Sequence, residues 1–152
     1  MRKIKSSGFT LIEVMITVAL LGILAAIAYP SFHDYILKSR RSDAIAALTE
    51  ASLLQEKWRA NNPAYGALQD IYPSLAEGTT AKPSPEGYYN ISVHQTLNTT
   101  TLSVSGDASD SSNEYVIKAA ATSKNGQDQD ISCKDIYLDQ DGIFSPSACV
   151  SR

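Results

Sequence analysis

Residues 9–32 read FTLIEVMITVALLGILAAIAYPSF, an apolar run with a single charge, Glu13. A helix of that length crosses the roughly 30 Å hydrocarbon core of a bilayer. An ordinary secretory signal places a small-residue cleavage site after its apolar run, and the run is then discarded. Here the polar octapeptide MRKIKSSG comes first, so a cut at its end would leave the apolar helix on the mature protein. Arg2, Lys3 and Lys5 are expected to hold that end on the cytoplasmic side, which places the remainder of the chain in the periplasm.

The 152 residues leave room for one modest folded head beyond the membrane segment. Three of the 13 cations precede Gly8, so loss of the leader leaves 10 against 16 acidic residues and a net charge of −6. The only cysteines, Cys133 and Cys149, bracket one segment near the C-terminus. A disulfide is the simplest reading, worth about 3 kcal/mol for a loop of that size and persistent in an oxidising compartment. Two unrelated buried thiols are the alternative. His33 and His94 are too isolated to complete a zinc ligand pattern, and neither a metal nor a cofactor is expected.

The hexapeptide Gly8-Phe9-Thr10-Leu11-Ile12-Glu13, behind a basic leader and ahead of a long apolar run, resembles the processing site of type IV prepilins and the related type II secretion pseudopilins. The resemblance implies cleavage between Gly8 and Phe9 by a membrane-embedded prepilin peptidase, then N-methylation of the Phe9 amine. A carboxylate within an apolar segment costs about 3 kcal/mol on insertion scales, so Glu13 demands a partner. In the family it meets the N-terminal amine of a neighbouring subunit, which gives Glu13 and Phe9 a role in assembly; snorkelling into headgroups is the alternative. Gly22 and Pro30 interrupt the run, and Pro30 removes a backbone donor and crowds the carbonyl four residues earlier. A helix kink is expected there, with plain tolerance of proline at a membrane boundary as the other reading.

Beyond residue 31 the helix is expected to continue through Asn61, because Ala44, Leu48, Ala51, Leu54 and Trp58 recur at spacings of three and four. Lys38, Arg40, Arg41, Asp43, Glu50, Glu56, Lys57 and Arg59 are assigned to its wet side, and Lys38 to Arg41 could also touch lipid headgroups. Pro63 ends the helix. Residues 62–87, rich in Pro and Gly, read as an irregular connection, whose Tyr65 and Tyr72, with Tyr88 and Tyr89 beyond it, are expected in the core rather than as exposed adhesive groups. Strands are expected over Tyr88 to Gln95, Thr99 to Val104, Glu114 to Thr122 and Ile131 to Leu138, with a turn at Asp141-Gly142.

These expectations add up to an α+β chain of the type IV pilin fold. A leader occupies residues 1–8, a transmembrane and filament-core helix 9–32, and a head 33–152 that packs the rest of the helix on a small antiparallel sheet closed by a C-terminal disulfide loop. No nucleophile with its base, phosphate loop or ligand spacing points to an enzyme. The expected function is that of a minor pilin, helping to initiate or maintain type IV pili for twitching motility, adhesion and DNA uptake; a major pilin or a type II secretion pseudopilin is the alternative. Its expected partners are the prepilin peptidase, other pilins through their N-terminal helices, and the inner-membrane assembly platform. The chain would sit in the inner membrane first and in the extracellular pilus later. The Asp128, Asp130, Asp135, Asp139 and Asp141 cluster lacks the glutamate of an EF-hand. Direct DNA binding is not expected of an acidic mature protein, although Lys118, Lys124, Lys134 and Arg152 could gather in space.

Overall fold

The computed structural model describes residues 9–98, 103–107 and 113–150. Helix α1 runs from Leu11 to Arg59 and is followed by a short helix α2, Leu68–Ile71. Among the described residues six strands follow: β1 Lys82–Pro83, β2 Tyr89–Asn98, β3 Ser103–Asp107, β4 Val116–Ala121, β5 Asp135–Asp139 and β6 Phe144–Ser145. They form one antiparallel sheet in the order β1-β2-β4-β5-β6, with β3 also paired to β2. Two compact units divide the chain between Ile36 and Leu37.

The first unit is a helix with no core of its own. Every residue from Phe9 through Phe32 is exposed, and α1 is the only helix among the described residues long and apolar enough to cross a membrane. Its start is set locally, since the Thr10 hydroxyl accepts the Glu13 N–H at 3.3 Å. That satisfies one of the orphan donors of the first turn, and Thr10-x-x-Glu13 is the sequence pattern of a capping box. Gly22 and Pro30 both lie inside the helical run.

In the second unit α1 turns Ala44, Ala47, Leu48, Ala51 and Gln55 inward, the three and four spacing of one helix face. Three alanines on that face let the sheet approach closely. The sheet answers with cross-strand rows: Val93 opposite Ile117 opposite Leu138, and Ile91 opposite Ala119 opposite Ile136, all buried. Such directly opposed pairs are the stabilising unit of a sheet. Tyr89 and Tyr115 complete the core, Tyr115 edge-on to Tyr65 at 4.6 Å and bonded to the Ser52 hydroxyl at 3.0 Å.

The structure departs from the sequence reading in several places. The stretch 62–87 contains α2 and β1, because Leu68 and Ile71 are buried and the Asp70 carboxylate accepts the Ala67 N–H at 2.7 Å. Gln55 fastens this stretch to α1, donating to the Gly66 carbonyl at 2.7 Å and accepting its N–H at 3.0 Å. Ile131–Cys133 is a 3-10 turn rather than the start of a strand. Cys133 N–H bonds the Asp130 carbonyl, and the Tyr89 hydroxyl takes the Cys133 carbonyl, so neither group is left for a ladder. Helix α1 ends at Arg59 instead of Asn61. Tyr72 and Tyr89 are buried and Tyr65 and Tyr88 partly so. Of the strand expected over Thr99 to Val104, residues 99–102 lie outside the described residues.

Candidate functional site

Two regions bear on function, the exposed apolar arm of α1 and the part of the head that grips α1 just beyond Ile36. On the arm, Phe9 is 83% exposed and the large side chains Leu11, Ile12, Met15, Leu20, Leu24 and Ile27 are all exposed. An apolar surface of this extent marks membrane contact or partner helices. Glu13 is the only carboxylate on it before Asp34, and its side chain is exposed. Phe9 and Glu13 are therefore both available to a second chain. Gly8 lies outside the described residues.

At the head, the segment Lys124–Gln129 and the residues after it hold α1 at three points. The Arg41 guanidinium grips the Asp130 carboxylate in a two-pronged pair at 2.7 and 2.9 Å, with Asp130 6% exposed. Gln127, fully buried, donates to the Leu37 carbonyl at 3.3 Å and to the Tyr89 hydroxyl at 2.9 Å. Arg40 donates to the Asn125 carbonyl at 3.0 Å. Burial pushes the Tyr89 phenol above its ordinary value, a shift that the Gln127 bond partly opposes. The same network reaches the Cys133–Cys149 disulfide, whose Cα atoms are 5.7 Å apart, through the Cys133 carbonyl.

Asp43 belongs here too. Buried on α1, it accepts the Ser84 hydroxyl at 2.5 Å and the backbone N–H groups of Glu86 and Tyr88 at 3.1 and 3.3 Å. Sequence spacing puts both Arg41 and Asp43 on the wet side of the helix; the tertiary fold turns them inward because their partners come from segments that this spacing does not reveal. The aspartates of the C-terminal region have separate duties as well. Asp130 pairs with Arg41, Asp135 with Lys118 at 3.2 Å, and Asp139 accepts the N–H groups of Asp141 and Ile143 to shape the turn at Gly142. Of the cations that could form a basic patch, Lys118 pairs with Asp135, Lys124 lies 5.2 Å from the Tyr88 ring centroid, Lys134 is exposed, and Arg152 lies outside the described residues.

Residues 3–29 match the prokaryotic N-terminal methylation motif. Residues 30–137 match the family described as type IV minor pilin ComP, DNA uptake sequence receptor. The chain belongs to the ComP family of type IV pilins. Among curated proteins this pilin is similar to the type IV major pilin protein PilE1 of Neisseria gonorrhoeae, 42% identical over 82 residues that cover 49% of this chain and 48% of the relative. It is 44% identical over 66 residues to the fimbrial protein of Neisseria meningitidis serogroup A, covering 39% of each. The type IV major alpha-pilin of Moraxella bovis is 28% identical over 157 residues, covering 95% of this chain and 97% of that protein. This pilin thus spans about half the length, or less, of the first relatives it matches, and nearly all of the Moraxella one.

Proposed function

We propose that this pilin is a minor subunit that helps initiate or maintain type IV pili and takes part in DNA uptake through them. The observation that carries the reading is the match of residues 30–137, most of the head, to a family described as a minor pilin. The relatives named major pilins support the alternative, a bulk subunit. In this reading the leader 1–8 is removed between Gly8 and Phe9 by the prepilin peptidase, Phe9 is methylated, and residues 9–32 anchor the chain in the inner membrane with the head in the periplasm. Residues 9–32 then pack against other pilins at the assembly platform, with Gly22 and Pro30 as weak points in the helix. The methylation motif and the unbroken exposure of Phe9 through Phe32 support this sequence of events.

Glu13 pairs with the Phe9 amine of a neighbour in this reading, because a carboxylate in hydrocarbon is tolerated when a cation meets it. Glu13→Ala is expected to insert in the membrane normally and to enter filaments poorly; normal incorporation of that variant would sink the pairing. The copy number is tested by quantitative mass spectrometry of sheared filaments from the native organism. A trace amount beginning at methylated Phe9 supports the minor subunit, dominance makes it the major one, and absence from filaments with retention in the envelope points to a secretion pseudopilin. A second reading, direct contact with DNA, runs against the acidic mature charge and is favoured by the family description as a DNA uptake sequence receptor. Duplex retention by the full chain, steeply weakened by salt, is its test.

A further inference from the structure

Tyr88 holds two cations from distant parts of the chain. The Arg40 guanidinium lies 4.7 Å and the Lys124 ammonium 5.2 Å from the centroid of its ring. Each is fixed by a backbone carbonyl, Arg40 by that of Asn125 and Lys124 by that of Glu86. The consecutive left-handed residues Asn125 and Gly126, φ 51° and 74°, shape the turn that carries the Asn125 carbonyl to the helix. Among the described residues neither cation has a carboxylate partner. By contrast Arg41, the next residue, is fully committed to Asp130.

Two like charges brought to one ring repel each other, and the aromatic face offsets only part of that cost. One carbonyl leaves most of the donors of a guanidinium and an ammonium unused. Such a pair is a preorganised seat for an anion with several acceptor oxygens, and phosphate is the group that arginine and lysine recognise best together. The chain position indicates the source. Arg40 follows Ile36, the last residue of the apolar first unit, by four residues, and exposed Lys38 lies between them. The exposed tyrosines Tyr29 and Tyr35 precede it, a residue type that settles at a membrane surface.

We infer that Arg40 and Lys124, gathered around Tyr88, bind the phosphate of an anionic phospholipid headgroup while the pilin is still in the membrane. The inference rests on the anchored reading proposed above. It replaces the run Lys38 to Arg41, read from sequence, with a site built from α1, the turn at Asn125 and the Glu86–Tyr88 backbone, and it removes Arg41 from that role.

The test uses the full-length chain in phosphatidylcholine nanodiscs that carry a minority of spin-labelled phosphatidylglycerol, with spin-labelled phosphatidylcholine as the reference lipid. The wild type is expected to immobilise phosphatidylglycerol preferentially. Arg40→Gln and Lys124→Gln should each lower the preference about fivefold. Tyr88→Phe should keep it, since the ring remains, and Lys57→Gln, at the far end of α1, should leave it unchanged. Equal immobilisation of both lipids by the inserted protein, or an unchanged preference in the Arg40→Gln/Lys124→Gln variant, overturns this proposal alone. Failure of the chain to enter the nanodisc overturns it together with the anchored reading. Complete loss of the preference in millimolar inorganic phosphate would assign the seat to a small free anion. Retention of a DNA duplex that requires both cations, without any lipid preference, would assign it to nucleic acid; either result refutes the lipid.

Discussion

Arg41→Met should be among the most damaging single changes in the head, and its cost follows from the geometry. Asp130 is 6% exposed and both its oxygens are taken by the Arg41 guanidinium. Removing one partner of a buried pair costs about 3–5 kcal/mol, mostly because the remaining charge is left without solvent or partner. Arg41 is 13% exposed, so water can reach part of the vacated space, and a loss of about 2–4 kcal/mol is expected after that discount. The double variant Arg41→Met/Asp130→Leu removes both charges and should recover to within about 1 kcal/mol of wild type, since a buried pair is close to neutral against an apolar replacement. The assay is equilibrium urea unfolding of the full chain in detergent, followed by the fluorescence of Trp58, the only tryptophan, which packs against the core. The double-mutant cycle then isolates the pair. A loss below about 1 kcal/mol in Arg41→Met, or strictly additive effects in the double variant, would refute the assignment of Arg41 and Asp130 as a mutually dependent buried pair.

Gly66→Ala should cost about 1–3 kcal/mol in the same assay, because a Cβ there would sit 2.9 Å from that of Asp70 and 3.0 Å from the Trp58 indole nitrogen. Replacing Cys133 and Cys149 by serine should remove about 3 kcal/mol and release protection from hydrogen exchange first in the segment Lys124–Gln129, which shares the Cys133 network. The head should also lose stability in alkali. Burial raises the phenols of Tyr72, Tyr89 and Tyr115 above their ordinary value of 10.0, so the unfolded chain gives up these protons first. Their stabilisation is then complete below pH 10 and falls as pH rises through the higher folded values. Tyrosinate absorbance that develops together with unfolding checks this, and full ionisation in the still-folded head would contradict it.

Much of the architecture was legible because it is written locally. The apolar arm, its single carboxylate, the helix face of Ala44, Leu48 and Ala51, the strand residues expected over Tyr88 to Gln95, which fall largely within Tyr89–Asn98, and the Asp141-Gly142 turn each arise from neighbours in the chain. The capping pattern Thr10-x-x-Glu13 was equally available and marks where α1 begins. The short strand Lys82–Pro83 was not, since two edge residues carry no periodicity. Nor did composition distinguish Lys118, which is paired, from Lys124, which has no carboxylate partner among the described residues.

The sequence by itself determined that this chain carries an N-terminal methylation motif and a membrane-length helix, because length, hydropathy and the order of charges act without reference to the rest of the fold. Only the tertiary structure decided which polar residues of α1 face inward. Arg41 meets Asp130 across 89 residues, Asp43 meets Ser84 across 41, and Leu37 meets Gln127 across 90. A charged residue on a helix reads as solvated until something distant is folded over it. Whether a carboxylate or guanidinium is then buried depends on a partner that the helical period cannot name.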